Sequence, residues 1–240
     1  AGLRLKIGED VQVVDFPGES VEDERWLDFH DLMGRNGVTP EMSRTLLKRS
    51  RTAVASMLLR RGDADAMICG VAGRYDAHLE KIEQVIGREE GAPCLASMNV
   101  VMLPEVSLFI TDTFVNEDPD ADTLARIAKM ATTEMKRFGV VPKVAFVSHS
   151  CYGSSERPSA RKMRLARQRF SELAPDIECD GEMHGDAALI PEIRERFLLK
   201  PTLEGSANLL VMPNLDAANI LFNLLVMPNL DAANILFNVL

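Results

Sequence analysis

One stretch of the chain sets small hydroxyl residues, glycine and cations directly behind an apolar run: Val144-Ala-Phe-Val-Ser-His-Ser-Cys-Tyr-Gly-Ser-Ser155, then a helix start near Pro158. A buried strand that ends in Ser148, Ser150, Gly153, Ser154 and Ser155 and feeds a helix N-terminus offers hydroxyls and backbone N–H groups to an anion, which suits a phosphate. Arg157, Arg161, Lys162, Arg164, Arg167 and Arg169 follow as a basic cluster suited to the phosphates of a nucleotide-like ligand. Arg157 and Arg161, in the first turn, are the ligand candidates. The later members avoid the apolar stripe of the helix and read as its solvated flank.

Two further passages carry weaker signals. Ile68-Cys-Gly-Val-Ala-Gly-Arg-Tyr75 places Gly70, Gly73 and Arg74 at a strand-to-helix turn. It lacks the GxGxxG spacing, and no GxxxxGK[ST] occurs anywhere, so its glycines serve a plain tight turn equally well. In Met212-Pro-Asn-Leu-Asp-Ala-Ala-Asn219, Asp216 and Asn219 stand three apart and share a helix face at the carboxyl end of a strand, the edge that ligands favour in α/β sheets. Capping of that helix by Asn214 or Asp216 is the competing reading. Ser148, His149 and Ser150 do not make a nucleophilic triad, because adjacent strand residues point to opposite faces and no GxSxG elbow is present. His78 near Asp76, and His184 between Glu182 and Asp186, lack metal-ligand spacing and read as surface or capping groups.

Short β-rich runs alternating with helical stripes must position these residues. Strands are predicted at Val11–Phe16, Ala66–Cys69, Leu95–Leu103, Ser107–Asp112, Val144–Ser148 and Leu209–Met212. Thr39-Pro40-Glu41 supplies an N-cap, a first-turn proline and a first-turn acid for a helix over Met42–Arg60. Asp120–Arg137 sets Leu124, Ile127, Ala128, Ala131 and Met135 on one face and stops at Gly139, and Pro158–Leu173 does the same with Met163, Ala166, Phe170 and Leu173. This alternation predicts α/β layers with a largely parallel sheet. Two adjacent strands split at Pro104-Glu105 predict an antiparallel hairpin within it. A domain boundary is expected between Gly87 and Pro93.

With 46% hydrophobic and 26% charged residues, the 240-residue chain has ordinary globular composition. The net charge of −9 repels nucleic acid and anionic membranes, so an anionic ligand needs a local patch. No apolar run approaches the roughly 20 residues of a membrane span, and no basic leader precedes one, so a cytoplasmic protein is expected. Cys69, Cys94, Cys151 and Cys179 are scattered and fit reduced thiols. Asn208–Phe222, NLLVMPNLDAANILF, recurs unchanged as Asn223–Phe237. Solenoid repeats diverge and come in larger numbers, so this tandem identity reads as an artefactual duplication whose first copy is the informative one.

Taken in order, RRGDADAMICGVAGRY (60–75), VAFVSHSCYGSS (144–155), APDIECDGEMHGDAAL (174–189) and ANLLVMPNLDAANI (207–220) resemble the phosphate acetyl/butyryl transferase family over nearly the whole chain. Gly73-Arg74-Tyr75, the Ser-His-Ser loop and Asp-Gly-Glu-Met-His look most like the phosphotransacetylase-like C-terminal domain of hybrid NADP-dependent malic enzymes. The resemblance implies two α/β sandwich units with a cleft between them, of isocitrate/isopropylmalate dehydrogenase-like architecture. They would be a partial first domain over 1–93, without the family's N-terminal stretch, and a second over 94–240.

Active relatives transfer acetyl between acetyl phosphate and coenzyme A, chemistry that needs positive charge on the phosphoryl group. Here Met33 stands where they carry a functional arginine, and Glu80 stands where they carry another. The family's C-terminal Ser-Arg-Gly also has no counterpart. The resemblance therefore implies a domain with no catalytic residues of its own that binds acetyl-CoA as an effector and regulates an attached malic enzyme domain, to which NADP and a divalent metal belong. Its binding residues would be Gly70, Gly73, Arg74, Ser148, Ser150, Gly153, Ser154, Ser155, Arg157, Arg161, Asp216 and Asn219, in a homodimer within a larger homo-oligomer. The alternatives are a working phosphate acetyltransferase and, in a third class, a decarboxylating dehydrogenase in its own right. The last would need a nucleotide fingerprint and a carboxylate metal cluster.

Overall fold

The computed structural model describes residue 6 and residues 25–70, 72–102, 107–226 and 234–239. The chain divides into two compact units, Ala1–Gly87 and Arg88–Leu240.

Within the first unit the described residues form four helices, α1 (Arg25–Met33), α2 (Pro40–Arg49), α3 (Arg51–Arg61) and α4 (Tyr75–Val85), with a 3₁₀ turn at Gly34–Asn36. Thr39 caps α2 as expected, its hydroxyl accepting the Met42 N–H at 3.2 Å. The single helix expected over Met42–Arg60 is two. Ser50 takes an extended conformation (φ −120°, ψ 100°) and its hydroxyl caps α3 by accepting the Ala53 N–H. Phe29, Met33, Leu47, Ala53, Met57 and Val85 make the core of this unit. The expected strand at Ala66–Cys69 does not form. Ile68 is 97% exposed, and among the described residues no strand lies beside this segment to complete its ladder. The strand expected at Val11–Phe16 lies outside the described residues.

The second unit is a six-stranded sheet in the order β4-β3-β5-β2-β1-β6. Its strands are β1 (Ala96–Met102), β2 (Ser107–Thr111), β3 (Lys143–Val147), β4 (Glu178–Met183), β5 (Leu209–Val211) and β6 (Asn234–Val239). β4, β3, β5 and β2 run parallel. β1 pairs antiparallel with β2, from Met98↔Thr111 to Met102↔Ser107, as expected of the two strands split at Pro104-Glu105, which lie outside the described residues. β4, not anticipated as a strand, is the surprise. Its sequence, Glu-Cys-Asp-Gly-Glu-Met, carries three acids in six residues and hides its extended state from a hydropathy reading.

Strand alternation sends Val144 and Phe146 into one core layer and Ala145 and Val147 into the other. α5 (Ala121–Arg137) and α6 (Pro158–Leu173) cover the first face, burying Leu124, Ala128, Ala131 and Met135 against Met163, Ala166 and Phe170. α7 (Gly185–Leu189), α8 (Pro191–Arg194) and α9 (Leu215–Val226) serve the second face through Ala187, Ala188, Ala218 and Phe222. The duplicated segment appears in two forms. Asn219-Ile-Leu-Phe-Asn223 is helical in α9, while the identical Asn234-Ile-Leu-Phe-Asn238 is strand in β6, paired antiparallel along β1.

Phe170 is fully buried and its ring lies 5.7 Å from that of Phe146. Phe170→Ala is expected to lower unfolding free energy by about 3–5 kcal/mol in urea titrations, against about 0.5 kcal/mol or less for the exposed neighbour Gln168→Ala.

Candidate functional site

The parallel strands deliver four connections to the carboxyl edge of the sheet: 112–120 after β2, 148–157 after β3, the turn at His184 after β4, and 212–214 after β5. Open α/β sheets place their ligands at this edge.

In the 148–157 connection, Tyr152 (φ 47°) and Gly153 (φ 87°) make two successive left-handed steps and curl the backbone into a tight loop. The interior of that loop is filled by the chain's own carboxylate. Glu182, fully buried on β4, accepts the Ser150 hydroxyl and the Gly153 N–H at 2.9 Å each, and Arg164 Nε at 3.1 Å. Other donors close internally: Ser155 N–H on the Ser150 hydroxyl, Cys151 N–H on the Ser154 hydroxyl, Ser150 N–H on the Ser148 hydroxyl and Tyr152 N–H on the Glu182 carbonyl. Burial pushes the Glu182 carboxyl up, but Arg164, the Gly153 N–H and the Ser150 hydroxyl outweigh it, and its pKa lies below the ordinary carboxylate value.

Ser148, Ser150, Gly153 and Ser154 thus build the loop, and what faces outward is its rim. Arg157 caps α6 through its backbone alone, so the first-turn N–H groups of α6 have no side-chain acceptor. The Arg157 and Arg161 side chains are exposed and make no ion pair among the described residues. Ser155 connects rim and loop, its hydroxyl accepting the Arg157 N–H and lying 3.3 Å from His149 Nε2.

The other members of the basic cluster are committed elsewhere. Arg164 holds Glu182, Glu156 and the Ser155 carbonyl. Arg169 pairs with Asp122 and Glu172, and Arg167 donates to the Thr202 hydroxyl. Lys162, 19% exposed, ties Asp118 to the Pro213 carbonyl and so laces the β2 and β5 connections to α6.

Asn214, not Asp216, caps α9 by accepting the Ala217 N–H at 2.9 Å. Asp216 is exposed in the first turn, while Asn219 reaches back to the Thr113 carbonyl at 3.3 Å. Thr113 belongs to a second loop wrapped round a carboxylate. Asp112, 3% exposed, accepts the N–H groups of Ser97, Phe114, Val115 and Asn116 together with the Ser97 hydroxyl and the Asn116 amide. Sequence reading missed Asp112 and passed over Glu182. The available signal was an acid closing a buried run, followed by a segment too short for a helix.

In the first unit, Gly70 (φ 101°) and Gly73 (φ 105°) do take backbone conformations that disfavour side chains, and a Cβ on Gly73 would stand 2.9 Å from His78 Nε2. His78 holds that turn, with Nδ1 2.7 Å from the Thr52 hydroxyl and Nε2 2.8 Å from the Ala72 carbonyl. Arg74 pairs with Asp76. Met33 is buried in the core, and exposed Glu80 bonds to Gln84 and Lys81.

Two grooves among the described residues, of about 340 Å³ between residues 89–93 and α5 and of about 380 Å³ beside the start of β4, do not include the residues of the 148–157 connection. Arg157, Arg161 and the open helix donors of α6 are at the carboxyl edge.

The model of the phosphate acetyl/butaryl transferase family matches residues 1–224, and the chain belongs to this family. It is 43% identical over 221 residues to the NADP-dependent malic enzyme of Escherichia coli (strain K12), covering 92% of this chain and 29% of that protein. It is 31% identical over 224 residues to the phosphate acetyltransferase of Acetivibrio thermocellus, covering 87% and 67%. Among solved structures, a phosphotransacetylase from Streptococcus pyogenes superposes with a TM-score of 0.80 at 28% identity, covering 92% of this chain and 68% of that one. The protein is therefore a phosphotransacetylase-like domain of a kind shared by malic enzymes and phosphate acetyltransferases, and it spans under a third of the length of the malic enzymes it matches. No helix among the described residues is long and apolar enough to cross a membrane.

Glu182→Gln keeps the shape but removes the charge that holds Arg164, and is expected to lower stability at pH 7 by about 2–3 kcal/mol. Because the folded pKa lies below the unfolded value near 4.3, the charge contributes fully above about pH 5 and is lost as pH falls through the folded value. Urea unfolding of wild type and variant should therefore converge as the pH is lowered through the folded value. An unchanged gap there would refute this account of the carboxylate.

Proposed function

We propose that this chain is a regulatory phosphotransacetylase-like domain that binds acetyl-CoA and modulates the oxidative decarboxylation of malate by an attached malic enzyme domain. It does so without acetyl transfer of its own. The observation that carries the reading is the pair Arg157 and Arg161, unpaired in a chain of net charge −9 and set at an uncapped helix start beside the Ser155 rim. Such a patch attracts a polyanion that the rest of the molecule repels. The 43% identity with a malic enzyme supports the attachment. In this reading NADP and a divalent metal belong to the attached domain. A homodimer within a larger homo-oligomer belongs to the same reading.

The 31% identity with a phosphate acetyltransferase favours a second reading, a working acetyltransferase. Against it stand Met33, buried in the core, and Glu80, an anion where active relatives are read to carry a cation. Loss of charge that stabilises a transition state removes orders of magnitude in rate.

Four measurements test the proposal. Acetyl-CoA and phosphate should give no acetyl phosphate above background in a thiol-release assay, and robust turnover would establish the second reading. In calorimetry, Arg161→Ala should weaken acetyl-CoA binding about tenfold or more, since a charge-assisted hydrogen bond contributes about 1.5–3 kcal/mol. Added salt should weaken wild-type binding as well. In the full-length enzyme the same change should blunt the acetyl-CoA effect and leave basal malate oxidation intact. Unchanged affinity would return Arg161 to the solvated face of α6.

A further inference from the structure

Phe197 has no place in the reading so far, and its setting is unusual for an exposed aromatic. The side chain is 50% exposed, yet the turn that carries it is anchored from beneath. Phe197 N–H bonds to the Arg194 carbonyl at 3.0 Å. The Arg194 side chain is 1% exposed and donates to the carbonyls of Ala187, Ala188, Leu203 and Gly205. A buried guanidinium holding four carbonyls fixes the backbone around it, so the ring is displayed on a stiff support.

From Phe197 a continuous chain of contacts leads to the cationic rim. The His184 ring stands edge-on to the Phe197 ring, centroids 6.0 Å apart at 75°. His184 Nε2–H donates to the His149 carbonyl at 3.0 Å, and His149 Nε2 lies 3.3 Å from the Ser155 hydroxyl, which accepts the Arg157 N–H. The aromatic shelf and the helix start that offers Arg157 and Arg161 are therefore linked through three side chains.

We propose that Phe197, backed by His184, is the stacking platform for the adenine ring of the coenzyme A ligand and makes the site selective for it over smaller phosphates. The inference rests on the preceding reading that the rim binds acetyl-CoA. In coenzyme A the adenine sits on the ribose that bears the phosphates, whereas the thioester lies at the far end of the pantetheine arm. A flat apolar surface joined to phosphate-binding cations therefore meets the ring. Stacking on an aromatic side chain needs only the π-face of the base and adds affinity that a ring-free anion cannot gain.

Calorimetry on the chain with three probes tests this: acetyl-CoA, adenosine 3′,5′-bisphosphate and 4′-phosphopantetheine. Phe197→Ala should weaken the first two about tenfold, leave phosphopantetheine unchanged and preserve the salt dependence, while Phe197→Tyr should bind as wild type. Because the side chain is half exposed, thermal unfolding of both variants should match wild type. Unchanged acetyl-CoA affinity in Phe197→Ala, or an equal loss for phosphopantetheine, would overturn the platform and leave the acetyl-CoA reading standing. Failure of the wild type to bind acetyl-CoA would overturn that earlier reading itself, and wild-type binding of adenosine bisphosphate that Phe197→Ala does not weaken would overturn the platform on its own account.

Discussion

Two buried carboxylates, Asp112 and Glu182, set the shape of the carboxyl edge of the sheet in the second unit. Where parallel strands end, the chain must turn, and each turn leaves N–H groups without ladder partners. The β2 connection satisfies its donors by closing round Asp112, and the β3 connection by closing round Glu182 from the neighbouring strand. An ionised carboxylate is expensive to bury, and several charge-assisted hydrogen bonds are what makes it tolerable. The consequence is mutual dependence. Neither loop keeps its path without its carboxylate, and neither carboxylate stays buried without its loop.

This arrangement decides which cations are free. Glu182 draws Arg164 inward, Asp118 engages Lys162, and Asp122 holds Arg169. An acidic chain with a helix full of arginines is thereby reduced to Arg157 and Arg161 as unpaired charges at the start of α6. The motif that looked like a phosphate cradle already contains an anion supplied by the protein, and Arg157 and Arg161 stand on its outer rim. The same logic separates the serine that binds the carboxylate from the one at the rim. Ser150, with its hydroxyl bonded to Glu182, is masonry, while Ser155 stands at the rim.

In the first unit a single histidine plays the corresponding part. His78 bridges the Thr52 hydroxyl and the Ala72 carbonyl, and its ring occupies the space that a side chain at position 73 would need. The glycine there answers to packing and backbone geometry. Met33 lies in the core of this unit with Phe29, Leu47, Ala53, Met57 and Val85, where an arginine would bury a charge.

Local rules were enough to specify much of this protein. Thr39-Pro40 and Asp120 announced helix starts because capping needs only neighbouring residues, and the stripes of α5 and α6 were legible because a helix buries a fixed face. The motifs at 144–155 and 207–220 marked the carboxyl edge, since their strands were apolar runs. What sequence could not show depended on partners distant along the chain. β4 is a strand only because β3 lies beside it; Glu182 matters only because Gly153 and Arg164 reach it; and Phe197 is linked to Ser155 only through His184 and His149. Asn-Ile-Leu-Phe-Asn makes the limit plain, being helix at 219–223 and strand at 234–238. Five identical residues have identical propensities, and it is the neighbour available to each, the β5 turn and its Asn214 cap for one and the free edge of β1 for the other, that selects the backbone.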